Sequence, residues 1–160
     1  MKVVGIDPGL AGTGVAIIEG DLREIQGYSF GSISTQASEP TPLRLHTIYS
    51  KIYDFLAEQK PDLVVIEDIY SLEKYPGSGI MLGKVSGVIL LAAHQVGGKF
   101  EEVAVCEMKK IICGSGNADK SQVEKSVRNQ LGHPEPIRPY HASDALGLAL
   151  AGYYRHRRGI

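Results

Sequence analysis

Residues 61–68 read Pro-Asp-Leu-Val-Val-Ile-Glu-Asp. Leu63 to Ile66 form a short apolar run with no polar alternation, rich in β-branched residues, as a parallel strand covered on both faces requires. Pro61 stops any helix that precedes it. Parallel strands need a crossover, so this stretch assigns the chain to the α/β class. The run then ends in two carboxylates, Glu67 and Asp68, where packing alone needs none.

Just upstream, Leu45, Ile48, Ile52, Phe55 and Leu56 give a helical apolar stripe, with Thr41 as N-cap and Pro42 at the first position. Before that helix, residues 2–6, 12–18 and 25–31 read as strands joined by the Pro8-Gly9 and Glu19-Gly20-Asp21 turns, an antiparallel meander. Downstream, the loop YSLEKYPGSG at 70–79 leads to a helix near 79–97, in which Gly83, Ser86 and Gly87 permit close backbone approach. A strand at 102–105, helices near 107–113 and 119–131, and a last helix from about 141 to 156 follow. The expected architecture is a five-stranded mixed sheet flanked by helices, as one domain over 1–160. A doubly wound nucleotide-binding sheet is excluded: GLAGTG at 9–14 does not fit G-x-G-x-x-G, and no helix follows it.

Composition narrows the class further. Hydrophobic content of 43% and charged content of 22% are those of an ordinary globular chain. The longest apolar run, Val88 to Ala93, falls far short of the roughly 18 residues of a membrane span. Asp7 interrupts the amino-terminal apolar stretch where a signal peptide would continue, so a cytoplasmic protein without membrane association is expected. Cys106 and Cys113 make neither a disulfide framework nor a metal knuckle. A net charge of −1 argues against a coat for nucleic acid. Yet Lys109, Lys110, Lys120, Lys125 and Arg128 cluster in one segment, and Arg155, Arg157 and Arg158 close the chain. These are solvated helix faces or a local basic path.

Acids stand at three places. Asp7 ends the first strand, Glu67 ends the apolar strand, and Asp144 lies in the first turn of the last helix, on one face with His141. Each has a bland explanation: a turn residue, a solvent-facing strand end, a partner for the helix dipole. Together they mean more, because parallel pairing of the first and fourth strands brings both strand-end acids to one sheet edge. Like charges so close call for a cation, and hard oxygen donors suit Mg2+. Two such ions about 3.5–4 Å apart serve phosphodiester displacement. His141 ligates a metal or handles a proton. Strand alternation points Glu67 and Asp68 to opposite faces, and Glu67 is the one expected at the site.

Five motifs carry a family likeness: GIDPG at 5–9, P-x-R-L-x-x-I-Y at 42–49, PDLVVIEDIY at 61–70, GSGNADKSQV at 114–123 and HASDALGLAL at 141–150. In order and over nearly the whole chain they resemble the RuvC family of Holliday junction resolvases. The resemblance implies an RNase H-like fold, a homodimer, and Mg2+-dependent paired nicking of four-way DNA junctions by two ions per site, with Mn2+ as a substitute. It implies Asp7, Glu67, His141 and Asp144 as metal ligands and catalytic residues, and Lys109 and Lys120 as contacts near the scissile phosphate. It also implies Tyr70 as an aromatic that stacks on a base, the helix near 79–97 as the dimer helix, and a branch-migration motor as partner. Two departures stand out. Ala11 and Gly12 are neutral where many members carry arginine, and the basic tail is cut to RHRRG.

Two other readings stay open at this point: a nuclease of the same fold acting on structured RNA, and a junction-binding protein with little cleavage. An actin-like ATPase lobe is excluded, since that fold needs a second lobe.

Overall fold

The computed structural model describes residues 1–69 and 76–157. Along the chain run β1 (Lys2–Asp7), β2 (Gly12–Gly20), β3 (Ile25–Ser34), α1 (Thr41–Gln59), β4 (Leu63–Asp68), α2 (Pro76–Gln95), β5 (Phe100–Ala104), α3 (Val105–Cys113), α4 (Lys120–Leu131) and α5 (Tyr140–His156). The strands form one five-stranded sheet in the order β3-β2-β1-β4-β5. β1, β2 and β3 make the antiparallel meander; β4 pairs parallel with β1, and β5 parallel with β4. The mixed α/β sheet expected from residues 61–68 is the one observed.

Strand alternation divides the core into two. Val4, Ile6, Val64 and Ile66 face α1 and α2, packing on Ile48, Ile52, Leu56, Val85 and Ile89. Val3, Leu63 and Val65 face the other side, where α3, α4 and α5 cover them with Met108, Val123, Val127, Leu146 and Leu150. On this second side the last helix lies directly on the sheet. A Cβ on Gly5 would stand 2.0 Å from the Ala145 carbonyl oxygen, and one on Gly14 would stand 1.9 Å from that of His141. No side chain fits at either position, so glycine sets how closely α5 approaches β1 and β2.

Several boundaries differ from the sequence reading, four of them instructively. The N-cap of α1 is Pro40, and Thr41 is already helical: a proline with extended backbone supplies the entry, without a side-chain cap. α2 starts at Pro76, the first position that tolerates proline best. β5 starts at Phe100, because Phe100 pairs with Val64. α5 starts at Tyr140 behind Pro139, which leaves no acid in its first turn. Asp144 therefore lies beyond that turn, contrary to expectation, and its charge is not explained by the dipole.

α2 is long and apolar enough to cross a membrane by length and composition alone. Val85, Ile89, Ala92 and Ala93 bury one face of it on the core. The opposite face is also poor in charge: Ile80 is 66% and Leu91 49% exposed, and a Cβ on Gly83 or Gly87 would meet nothing within 4 Å. Gly83 and Gly87 do not serve packing within the described residues.

Candidate active site

Asp7 and Glu67 reach the same place for a reason of register. β1 and β4 pair Val3 with Leu63 and Ile6 with Ile66, so the next step along both strands sets Asp7 beside Glu67 at the carboxyl end of the sheet. Both belong to the odd-numbered set that faces α5, whereas alternation carries Asp68 to the α1 side. α5 lies over this edge and brings His141 and Asp144 on one helix face. All four acidic-site positions singled out in the sequence thus meet at one point, drawn from three elements.

The electrostatics follow from crowding. Asp7 is only 7% exposed. His141 Nδ1 and Asp7 Oδ2 are hydrogen-bonded at 2.8 Å; an ionised carboxylate only accepts, so the ring donates. That bond holds the His141 imidazole above its ordinary pKa, against the opposing effect of burial. Burial first, then repulsion from Asp7, a hydrogen bond with Asp7, and repulsion from Asp144 push Glu67 up to about 8. Burial and the Asp7 charge push Asp144 up to about 6, while Lys120, His141 and Lys109 act in the other direction. Among the described residues no three Asp, Glu, His or Cys side chains are spaced to ring one ion as they stand. Buried carboxylates that lack a counterion raise one another's pKa, as Glu67 and Asp144 show.

The donor set fits hard divalent cations. Three carboxylates and one imidazole converge on an edge where burial and mutual repulsion raise Glu67 and Asp144. A cation bound there would displace the protons these groups hold.

Lys109 and Lys120 both act electrostatically on Asp144, and Lys120 also acts on Glu67 and His141. Lys120 opens α4, the end where the helix dipole disfavours a cation. A capping box offsets this: Asp119 accepts from the Gln122 amide at 2.8 Å, and the Gln122 side chain accepts from the Asp119 amide at 2.8 Å. The cap thus holds a lysine on the rim of the acids. Tyr70 lies outside the described residues. Three of the other basic groups are used elsewhere. Arg155 pairs with Glu101 and Glu107, Arg128 pairs with the buried Glu124, and Arg157 stacks on Tyr154, its guanidinium 4.8 Å from the ring.

Sequence reading missed the residues that hold the loop after Asp7. Gly9 and Gly12 lie against the His141 ring, where a Cβ would stand 3.8 and 3.4 Å from it. The Thr13 hydroxyl donates to the Gly9 carbonyl at 2.8 Å, and the Thr35 hydroxyl donates to that of Leu10. A wholly buried threonine between two glycines of a strand is the available signal for Thr13. Thr35 has none, because its partner is 25 residues away.

With this geometry established, comparison with known proteins is informative. Residues 3–152 match the family model described as Crossover junction endodeoxyribonuclease RuvC. A protein of that name from Syntrophomonas wolfei is 36% identical over 157 residues, 98% of this chain and 91% of that one. Another from Carboxydothermus hydrogenoformans is 35% identical over 155 residues, covering 97% of both. The structure of Thermus thermophilus RuvC in complex with Holliday junction substrate superposes with a TM-score of 0.88 at 28% identity, over 99% of this chain and 96% of that one.

Proposed function

The chain belongs to the RuvC family of crossover junction endodeoxyribonucleases, and from this membership we propose that it resolves four-way DNA junctions by hydrolysing one phosphodiester in each of two symmetry-related strands. The observation that carries the reading is the set of buried, mutually repelling acids, Asp7, Glu67 and Asp144, with His141 among them.

Asp7, Glu67, His141 and Asp144 would hold two Mg2+ ions, with Mn2+ as a substitute, since oxygen donors dominate the set. When bound, such a pair supplies an activated water and neutralises charge at the leaving oxygen. The protein's part is placement. Asp7 and Glu67 are fixed by paired strands, and His141 and Asp144 by a helix locked onto that sheet. Asp7 orients the imidazole and keeps Nε2 free to accept or ligate. Lys109 and Lys120 attract the scissile phosphate and offset the charge that builds on it. Tyr70 would stack on a base at the crossover.

A junction has two strands to cut and a two-fold axis, which a symmetric dimer matches. The outer face of α2, with Ile80 and Leu91 exposed and open space at Gly83 and Gly87, supports a homodimer through this helix. A branch-migration motor is the expected further partner, and the cytoplasm the expected compartment.

The test is cleavage of a labelled mobile four-way junction with Mg2+, beside linear DNA duplex and RNA duplex. Paired symmetric nicks in the junction, lost in Asp7→Asn while binding persists, are the expected result. Cutting of RNA alone would move the function to RNA processing. Binding without cutting would make the protein a junction-binding module.

A further inference from the structure

Arg44, in the first turns of α1, is placed by a chain of hydrogen bonds that serves no purpose in the core. Its Nε donates to the Thr35 hydroxyl at 2.8 Å, and that hydroxyl donates to the Leu10 carbonyl. The Thr35 amide donates to the Ala11 carbonyl at 3.2 Å. The guanidinium is therefore tied, through one side chain, to the loop that follows Asp7. The other side of that loop carries the His141 ring, against Gly9 and Gly12. Through Thr35, Arg44 thus reaches the loop that also packs on His141.

Only one of its nitrogens is engaged. Among the described residues Arg44 has no carboxylate partner, and its two Nη groups make no hydrogen bond. Every other arginine that is held in place in this way has an anion or a ring: Arg128 has Glu124, Arg155 has Glu101 and Glu107, and Arg138 and Arg157 lie on tyrosines. A half-buried guanidinium with fixed orientation and a free fork is built to take an anion from outside, and the fork matches two phosphate oxygens.

Position decides which anion. α1 packs on the sheet face that holds Ile48 and Ile52, while α3 and α4, which carry Lys109 and Lys120, cover the opposite face. A DNA strand cut at the acids crosses the sheet edge from one face to the other. Lys109 and Lys120 would meet it on one side of the cut, and Arg44 is the basic residue tied to the Asp7 loop on the other.

We propose that Arg44 binds a backbone phosphate of the cleaved strand on the α1 side of the acids, using the Nη fork that Thr35 holds in place. The inference rests on the nuclease reading above. The phosphate is not the one hydrolysed, so the contact fixes strand position rather than chemistry.

The experiment measures junction affinity by fluorescence anisotropy without divalent cation, from about 50 to 200 mM NaCl, and turnover at saturating junction with Mg2+. Wild type is compared with Arg44→Ala, Arg44→Lys, Thr35→Val and, as control, Arg23→Ala in the β2–β3 turn at the far end of the sheet. In Arg44→Ala the slope of log affinity against log salt should shrink by about 0.9, with affinity roughly eightfold weaker at about 0.1 M salt, the share of one released counterion. Arg44→Lys should keep the slope and lose about threefold in affinity, because the point charge stays and the fork goes. Thr35→Val should weaken binding with the slope unchanged. Arg23→Ala should match wild type, and turnover at saturation should hold within about twofold in both Arg44 variants. A wild-type slope in Arg44→Ala overturns the proposal, as does a fall in saturated turnover with affinity intact, which would make Arg44 only a brace for the loop. If Arg44→Ala is too unstable to assay, Arg44→Lys decides: unchanged affinity there also overturns it. Should wild type itself show no preference for the junction, the nuclease reading falls first and this contact with it.

Discussion

His141 Nδ1 donates a 2.8 Å hydrogen bond to Asp7 Oδ2 across 134 residues of sequence. The bond joins the last helix to the first strand at the point where charge is densest. It also fixes the ring's tautomer, with the Nε2 edge of the ring on the side of Gly12.

Replacing His141 separates positioning from charge. His141→Ala should lower single-turnover junction cleavage about 10- to 100-fold, the usual loss when a group that orients or completes a metal site is removed. His141→Asp restores an oxygen donor and should recover most of that rate at raised Mg2+. Equal rates for wild type and His141→Ala would remove the imidazole from the mechanism.

The raised acids make the metal-free protein sensitive to pH in a defined direction. Glu67 at about 8 and Asp144 at about 6 both exceed their ordinary values of 4.5 and 3.8. Between those limits the folded chain holds protons that the unfolded chain releases, so stability falls as pH rises. His141, also raised, adds to the same trend: its contribution is complete below its ordinary pKa of 6.5 and fades as pH climbs through the folded value. In thermal melts without metal, Tm should drop from about pH 5 to about pH 8. Glu67→Gln should flatten the curve and gain roughly 5 °C at the upper end. Added Mg2+ should reverse the ranking, stabilising wild type more than Glu67→Gln. A melting temperature that rises with pH would contradict this account of the site.

Gly5 and Gly14 set the distance from sheet to α5, and a methyl group at either meets a carbonyl oxygen near 2 Å. Gly5→Ala or Gly14→Ala should cost about 2–3 kcal/mol in urea denaturation. Of the two, Gly14→Ala should also depress cleavage in the folded fraction, since its methyl displaces the His141 backbone itself. Full activity in a stably folded Gly14→Ala would show that the site tolerates movement of α5.

The outer face of α2 should hold two copies together. Leu91→Glu, at a position 49% exposed, leaves the chain's own core untouched. Sedimentation should find a dimer for wild type and a monomer for Leu91→Glu, with unchanged circular dichroism. Junction cleavage should then fall and become dependent on protein concentration. A wild-type monomer at micromolar concentration would rule out α2 as a standing interface.

The strands and acids were legible because each leaves a local mark: an unbroken apolar run at 63–66, and carboxylates where a strand stops. The parity of β1 and β4 then put Asp7 and Glu67 together and sent Asp68 away. What sequence could not supply depended on contacts between distant segments. The start of α5 moved to Tyr140 because Pro139 sets the entry, and with it Asp144 left the first turn. The closing arginines read as a possible basic path, yet Arg155 finds Glu101 and Glu107, about fifty residues away. The hold of Arg44 and Thr35 on the Asp7 loop has no periodicity to reveal it.

The separation between Asp7 and its partners has a meaning for how the enzyme comes into being. β1 precedes α5 in the chain and every other element lies between them, so no fragment that stops short of residue 144 can assemble the acids. Contacts of such long sequence separation close late, after local helices and the meander have formed. A chain still in synthesis can thus own a sheet and a core while being unable to cut DNA, and catalytic competence arrives only with the final docking of α5.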